Sequence, residues 1–305
     1  MLLGAALAAS AIATPAQQLP QPRTQRINER VTVLLGPVQH ANPSNQGFMI
    51  NATAIVGDRG VILVDSGGSH DVGTHLAAAV RGITAKPVTH VVNTHAHGDH
   101  YLGNSAFARA TVLSSDACRR MVDANGHEWV ALMERDVGHA LPGTRVRAAD
   151  VAYPTGRTET TIDGVRMIMW VPDGGAHTAG DLLILLPDDK VLIAGDVLVN
   201  GLVPTFQDGF IRNWIALLDE IGALDVAHFV PGHGELMNAR DVARLRSQIA
   251  AFYAGVAQGY RQGRSETEIR KTIDVSQWER LERSYVISRN IGRAFLEAQE
   301  EAFAK

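Results

Sequence analysis

The chain has 305 residues, 46% of them hydrophobic, enough to bury a large core as one domain or as one domain with an appendage. Its 28 Lys and Arg against 32 Asp and Glu leave a formal charge of −4 with no basic block, which excludes nucleic acid as the main partner because phosphate contacts need clustered cations. A single cysteine, Cys118, excludes an internal disulfide.

In chain order, residues 1–16 form a short apolar run with an Ala-x-Ala pattern near its end. They are predicted to be a signal peptide lacking its basic leader, which implies a periplasmic or secreted protein. Residues 17–30, following Pro15 and containing Pro20 and Pro22, are predicted to be a linker. No other run approaches spanning length, so no stable membrane anchor is expected. Residues 31–35, 48–56 and 61–65 read as successive strands of an antiparallel sheet, and 71–81 as a helix. Residues 88–93 read as a buried strand, 111–114 as a short strand and 115–122 as the start of a helix. The less regular stretch 126–143, with His127, Trp129, Met133 and His139, fits either a lid or a packed surface helix. Strands follow at 165–171 and 182–186, and the apolar spacing of 211–224 is helical. Beyond residue 238 the pattern turns wholly helical, over 241–262 and 278–303, with a capping box at Ser265-x-x-Glu268 between them. The reading is a domain over 31–237 and a helical extension over 238–305. The extension would pack on the domain, and it leaves open a border on a substrate cleft or a homodimer.

The chemistry concentrates in His95-Ala96-His97-Gly98-Asp99-His100, directly after the 88–93 strand. Alternation along extended chain puts His95 and His97 on one face, where both imidazoles reach one cation. Gly98 permits a tight turn, after which Asp99 and His100 reach a second cation. His177 lies between two strands, Asp196 ends the apolar run 191–196, and His233 follows a short strand in Pro231-Gly232-His233-Gly234. Each therefore occupies a strand-to-loop junction, where a rigid sheet fixes the side chain and the loop opens to solvent.

These residues, in this order, resemble the metallo-β-lactamase superfamily over about residues 31 to 234. The resemblance implies an α/β fold, a four-layer αββα sandwich, here with a helical C-terminal extension. It implies that His95, His97 and His177 hold a first metal, that Asp99, His100 and His233 hold a second, and that Asp196 bridges them. Asp65 would orient the metal-binding loop through hydrogen bonds. Zinc β-lactamases of the best-known subclass carry cysteine at the bridging position, and another subclass has no bridging ligand. Asp196 instead matches the thioesterases, lactonases and phosphodiesterases, so β-lactam hydrolysis is not the expected main activity. Residues 195–209 and 214–219 further resemble the exported branch associated with sulfur-oxidation and quinoprotein-relay gene sets.

The implied activity is binuclear metal-dependent hydrolysis of a small ester, lactone, thioester, β-lactam-like or phosphodiester substrate. Asp99 would orient the nucleophile and pass a proton to the leaving group. Zn(2+), two per chain, suits an imidazole-rich site, with Mn or Fe as alternatives because Asp196 adds hard oxygen character. Tyr101, Asn200 and His139 are the expected substrate contacts. His40, His70, His75, His90, His127 and His228 are read as structural or solvent-facing. Two competing readings are a mononuclear iron sulfur dioxygenase, built on His95, His97, His177 and Asp196, and a metal-binding accessory protein with little turnover.

Overall fold

A computed structural model of the chain describes residues 18–303. Seven strands form one sheet in sequential order: β1 (Arg23–Arg26), β2 (Val31–Leu35), β3 (Ala52–Val56), β4 (Val61–Val64), β5 (Val88–Val92), β6 (Thr111–Ser115) and β7 (Val151–Tyr153). Pairing is antiparallel from β1 to β4 and parallel from β4 to β7. The second sheet holds β8 (Gly156–Ile162), β9 (Val165–Val171), β10 (Leu183–Leu186), β11 (Val191–Ile193) and β12 (His228–Val230), in the order β12-β11-β10-β9-β8.

Two-residue alternation sorts the core into three layers. Val31, Val33, Ile62, Val64, Met167, Met169 and Ile184 face between the sheets. Leu34, Leu63 and Val91 point the other way, against Val72, Leu76 and Val80 of α1 (His70–Ile83) and Cys118 and Val122 of α3 (Asp116–Val137). Trp170, Leu183 and Leu192 meet Trp214 and Leu218 of α4 (Ile211–Gly222) and Val242, Ile249 and Phe252 of α5 (Ala239–Arg261). Helix, sheet, sheet and helix therefore stack as the expected αββα sandwich, and the helical C-terminal extension is present. The signal-peptide reading at 1–16 lies outside the described residues.

The extension is continuous with the core. Phe206, Phe252 and Trp278 stack with ring centroids 4.8–6.0 Å apart, contacts worth about 0.5–1.5 kcal/mol per pair beyond their buried area. From α7 (Ile287–Phe303), the Glu297 carboxylate accepts from the Ile211 and Arg212 amides, capping the start of α4. Asn290 accepts from the Phe206 amide and donates to the Pro204 carbonyl, while Arg293 Nε donates to the Gly209 carbonyl. The extension thus holds the 204–212 loop.

The structure corrects several expectations. The linker at 17–30 contains β1, an edge strand whose four side chains are all exposed, so it carries no apolar alternation to betray it. For the stretch 126–143, expected as either a lid or a packed surface helix, the helix holds: it mostly continues α3, which stops at Gly138 in the left-handed conformation (φ 78°). The helix expected over 278–303 starts only at Ile287. Before it, Arg283 turns left-handed (φ 61°), and Glu282 pairs with the 201–203 segment. The capping box at Ser265 and Glu268 is present and opens α6 (Glu266–Thr272).

Candidate metal centre

Five chain segments deliver the site. β4 ends at Asp65, a buried residue in the left-handed region (φ 58°), which an aspartate tolerates better than most residues. β5 runs into Thr94, His95 and His97, and the single turn α2 (Gly98–Tyr101) carries Asp99 and His100. The loop after β9 brings His177, the turn after β11 brings Asp196, and the turn after β12 brings His233. Gly232 makes room for them: a Cβ there would lie 2.0 Å from Asp196 Oδ1.

All seven sequence-predicted ligands converge. Three groups each bring their ligand atoms within 4.8 Å of one another: His95, His97 and His177; His95, His100 and Asp196; Asp99, His100 and His233. Asp196 lies between the sets, with Oδ1 3.3 Å from His100 Nε2 and Oδ2 3.4 Å from His233 Nε2 and 3.7 Å from His177 Nε2. Asp99 Oδ2 is 3.3 Å from His233 Nε2.

On the outer side, four of the five rings have their other nitrogen committed. His100 Nδ1 donates to Asp65 Oδ2 (2.8 Å), and His233 Nδ1 donates to the Met49 carbonyl (2.8 Å). His97 Nε2 donates to Asp208 Oδ2 (3.0 Å), which leaves Nδ1 facing His177 Nε2 at 3.0 Å. His95 Nδ1 donates to Thr94 Oγ1, which itself donates to Asp65 Oδ2. One carboxylate, Asp65, thereby fixes both the His95 and the His100 ring. Such outer partners set the tautomer that leaves the inward nitrogen free for a cation. The inward atoms fit that assignment: among the described residues, His95 Nε2, His100 Nε2, His233 Nε2 and Asp196 Oδ1 are buried without a hydrogen-bond partner. Buried polar atoms are costly to leave unpaired, and divalent cations would satisfy all four.

The protonation pattern is consistent. Burial, reinforced by the His100 ring beside it, pushes His95 well below its ordinary range, and burial takes His177 to about 3, so both rings are neutral. Burial also works against His100 and His233, but Asp99, Asp196 and Asp65 raise the first, and Asp196 and Asp99 the second. The Asp99 and Asp196 carboxyls are held low by those two histidines, against a burial effect of opposite sign. Without metal, protons on His100 and His233 therefore balance the buried carboxylates.

Residues 45–233 match the Metallo-beta-lactamase superfamily. The chain belongs to this superfamily. A linear primary-alkylsulfatase from a Pseudomonas species is 28% identical over 220 residues, 60% of this chain and 41% of that protein, so the chain spans about two fifths of its length. The beta subunit of 2,4-dinitroanisole O-demethylase from a Nocardioides species is 27% identical over 235 residues, 73% of this chain and 69% of that one. Among solved structures, a stereoselective inverting sec-alkylsulfatase from a Pseudomonas species superposes with a TM-score of 0.68 at 18% identity, covering 90% of this chain and 50% of that one.

In this superfamily member the cluster of candidate ligands opens into a cleft of about 820 Å³, counting its open mouth. His97, Asp99, His177 and Asp196 form its floor. Trp129 packs on His97 with ring centroids 4.9 Å apart, and with Leu132, Met133 and Met49 makes an apolar wall. None of the three expected substrate contacts lines this cleft. Tyr101 is fully buried in the core beside α1, because the helical turn that aims Asp99 and His100 at the metals rotates the next side chain away. Asn200 donates to the Glu235 carbonyl and borders a separate cavity. His139 is exposed beyond the end of α3, with Nδ1 2.8 Å from the Ala140 carbonyl. Sequence reasoning missed Asp208, 111 positions from the ring it holds, for which spacing offers no signal. His40, expected to be structural or solvent-facing, is half-exposed and also lines the cleft with Arg283, Tyr285 and Arg289 of the extension.

Proposed function

We propose that the protein is a binuclear metal-dependent hydrolase of a small substrate. The position of Asp196 carries this reading, because its two oxygens lie within 3.7 Å of histidines from both halves of the cluster. A single-metal centre has no need of Asp99, His100 and His233 gathered on its far side. His95, His97 and His177 would hold one cation, Asp99, His100 and His233 the other, with Asp196 shared. Zinc suits five imidazoles best, with manganese or iron as alternatives. Bound in such a pair, divalent cations act as Lewis acids and lower the pKa of water toward about 7.

The chain's own residues supply the rest. Asp65, Asp208, Thr94 and the Met49 carbonyl hold four rings in the tautomer required for binding. Asp99 lines the cleft and is held ionised, so its carboxylate is placed to take the attacking water's proton and return it to the leaving group. Trp129 packs against the His97 ring and presents an apolar surface beside the first site. The target bond is an ester, lactone, thioester, β-lactam-like or phosphodiester bond, and the two alkylsulfatases add sulfate esters to the panel. Resemblance of residues 195–209 to the exported branch supports periplasmic or secreted localisation.

The test is metal per chain by mass spectrometry, together with hydrolysis of chromogenic substrates covering those bonds. Two cations per chain are expected, with metal and activity both lost in His97→Ala and Asp196→Ala while the circular-dichroism spectrum is kept. Unchanged metal content in both variants refutes the ligand assignment.

A further inference from the structure

Part of the cleft lining comes from the C-terminal extension, and it carries two arginines. Arg283, Tyr285 and Arg289 line the same cavity as His97, Asp99 and Asp196. Neither Arg283 nor Arg289 forms an ion pair among the described residues, although exposed arginines elsewhere, such as Arg157, Arg166 and Arg246, find carboxylates. Arg283 Nη2 instead donates to Met49 Sδ at 3.7 Å, a contact on the lining of the cleft itself.

The placement is built. The Glu282 amide donates to the Gly201 carbonyl and its own carbonyl accepts from Val203, which pins the chain beside the segment that follows Asp196. The next residue, Arg283, takes a left-handed conformation (φ 61°), an uncommon backbone for a long side chain and one that clusters at ligand sites. Tyr285 Oη lies 3.1 Å from His40 Nδ1, and His40 Nε2 lies 3.1 Å from Asp136 Oδ2, a chain that ties this wall to α3 across the mouth.

We infer that Arg283 and Arg289 form an oxyanion-binding subsite, so that the substrate carries a carboxylate, sulfate or phosphate group in addition to an apolar body. The apolar body lies against Trp129, Leu132 and Met133, the anionic group meets the two guanidiniums, and the scissile bond falls over Asp99 and Asp196. Guanidiniums suit this task because their planar fork donates to two oxygens of one anion. Uncharged esters and lactones then become poor substrates. This inference rests on reading the metal cluster as the catalytic centre.

The test titrates octanoate, octanesulfonate and 1-octanol into metal-loaded and metal-stripped protein, by calorimetry and Trp fluorescence, with metal content measured on each sample. Both anions are expected to bind at least about tenfold more tightly than the alcohol in either state, the order of one charge-assisted contact. That preference should fall about tenfold in Arg283→Gln/Arg289→Gln, and in part in Arg289→Gln alone, whose exposed helical position leaves folding intact. Equal binding of alcohol and anions overturns the proposal, as does a preference unchanged in the double variant. A preference that vanishes on stripping the metal assigns the anion to the cations and also overturns it. Arg-dependent anion binding by a chain that takes up no metal would instead sink the hydrolase reading and leave the subsite standing.

Discussion

Replacing Asp65 by Asn separates the orientation of the metal ligands from the fold. The change keeps side-chain size, and Asn, like Asp, tolerates the left-handed backbone found there (φ 58°). In the wild type, Oδ1 accepts from the Thr94 amide, while Oδ2 accepts from both Thr94 Oγ1 and His100 Nδ1, each at 2.8 Å. An Asn oxygen still serves the amide, but its NH2 replaces Oδ2 and donates where two donors formerly pointed. Thr94 adapts by rotating its hydroxyl. His100 adapts only by shifting its proton to Nε2, the nitrogen that faces Asp99 and Asp196 and that a cation needs free. Loss of an outer partner of this kind typically lowers metal affinity about 10- to 100-fold, or about 1.4–2.7 kcal/mol. Asp65→Ala strands all three donors in the core, including a histidine left buried without its carboxylate, and should cost about 3–5 kcal/mol of stability. Competition with a chelator measures affinity, and thermal unfolding of stripped protein measures stability. If Asp65→Asn binds two cations as tightly as wild type, Asp65 does not set the His100 tautomer. If it unfolds as readily as Asp65→Ala, its role is packing.

Three further outcomes follow from the same geometry. Gly232→Ala drives a methyl to within 2.0 Å of Asp196 Oδ1, so the carboxylate must swing away and metal content should fall below one per chain by mass spectrometry, whereas full loading would show that the turn yields instead. His100 and His233 are raised above their ordinary value of 6.5 in the metal-free fold, so the stability they contribute is complete below 6.5 and lost as pH rises through the folded values. Asp99 and Asp196 are depressed, so theirs is present above the ordinary carboxylate value of 3.8 and lost as pH falls through the folded values. Metal uptake near neutrality should therefore release protons from His100 and His233 but none from His95 and His177. Calorimetry in buffers of different ionisation enthalpy reads this, and metal affinity that is flat with pH would contradict it. Burial pushes the Cys118 thiol up to about 12, so a thiol reagent should modify it only on unfolding; rapid labelling of native protein would show that α3 opens.

The convergence of the seven candidate ligands was legible in the sequence because most of them sit just after a run of strand-forming residues, and the sheet, rather than the loop, decides where a strand end points. His95 follows β5, Asp196 follows β11 and His233 follows β12, and the last two strands are parallel neighbours, so their ends must meet. That logic says nothing about side chains positioned by tertiary contact. Tyr101 adjoins the ligands in sequence and still points into the core, since one residue of helix is a rotation of about 100°. Asp208 and Arg283 sit far from the ligands in sequence yet reach the cleft, because side chains of α7 hold the 204–212 loop and a left-handed turn redirects the chain. Strand periodicity thus marks where metal chemistry occurs, whereas the residues that face a substrate are chosen by how the extension folds back. The extension that most resembles an appendage in the sequence is therefore the segment in which specificity should be sought.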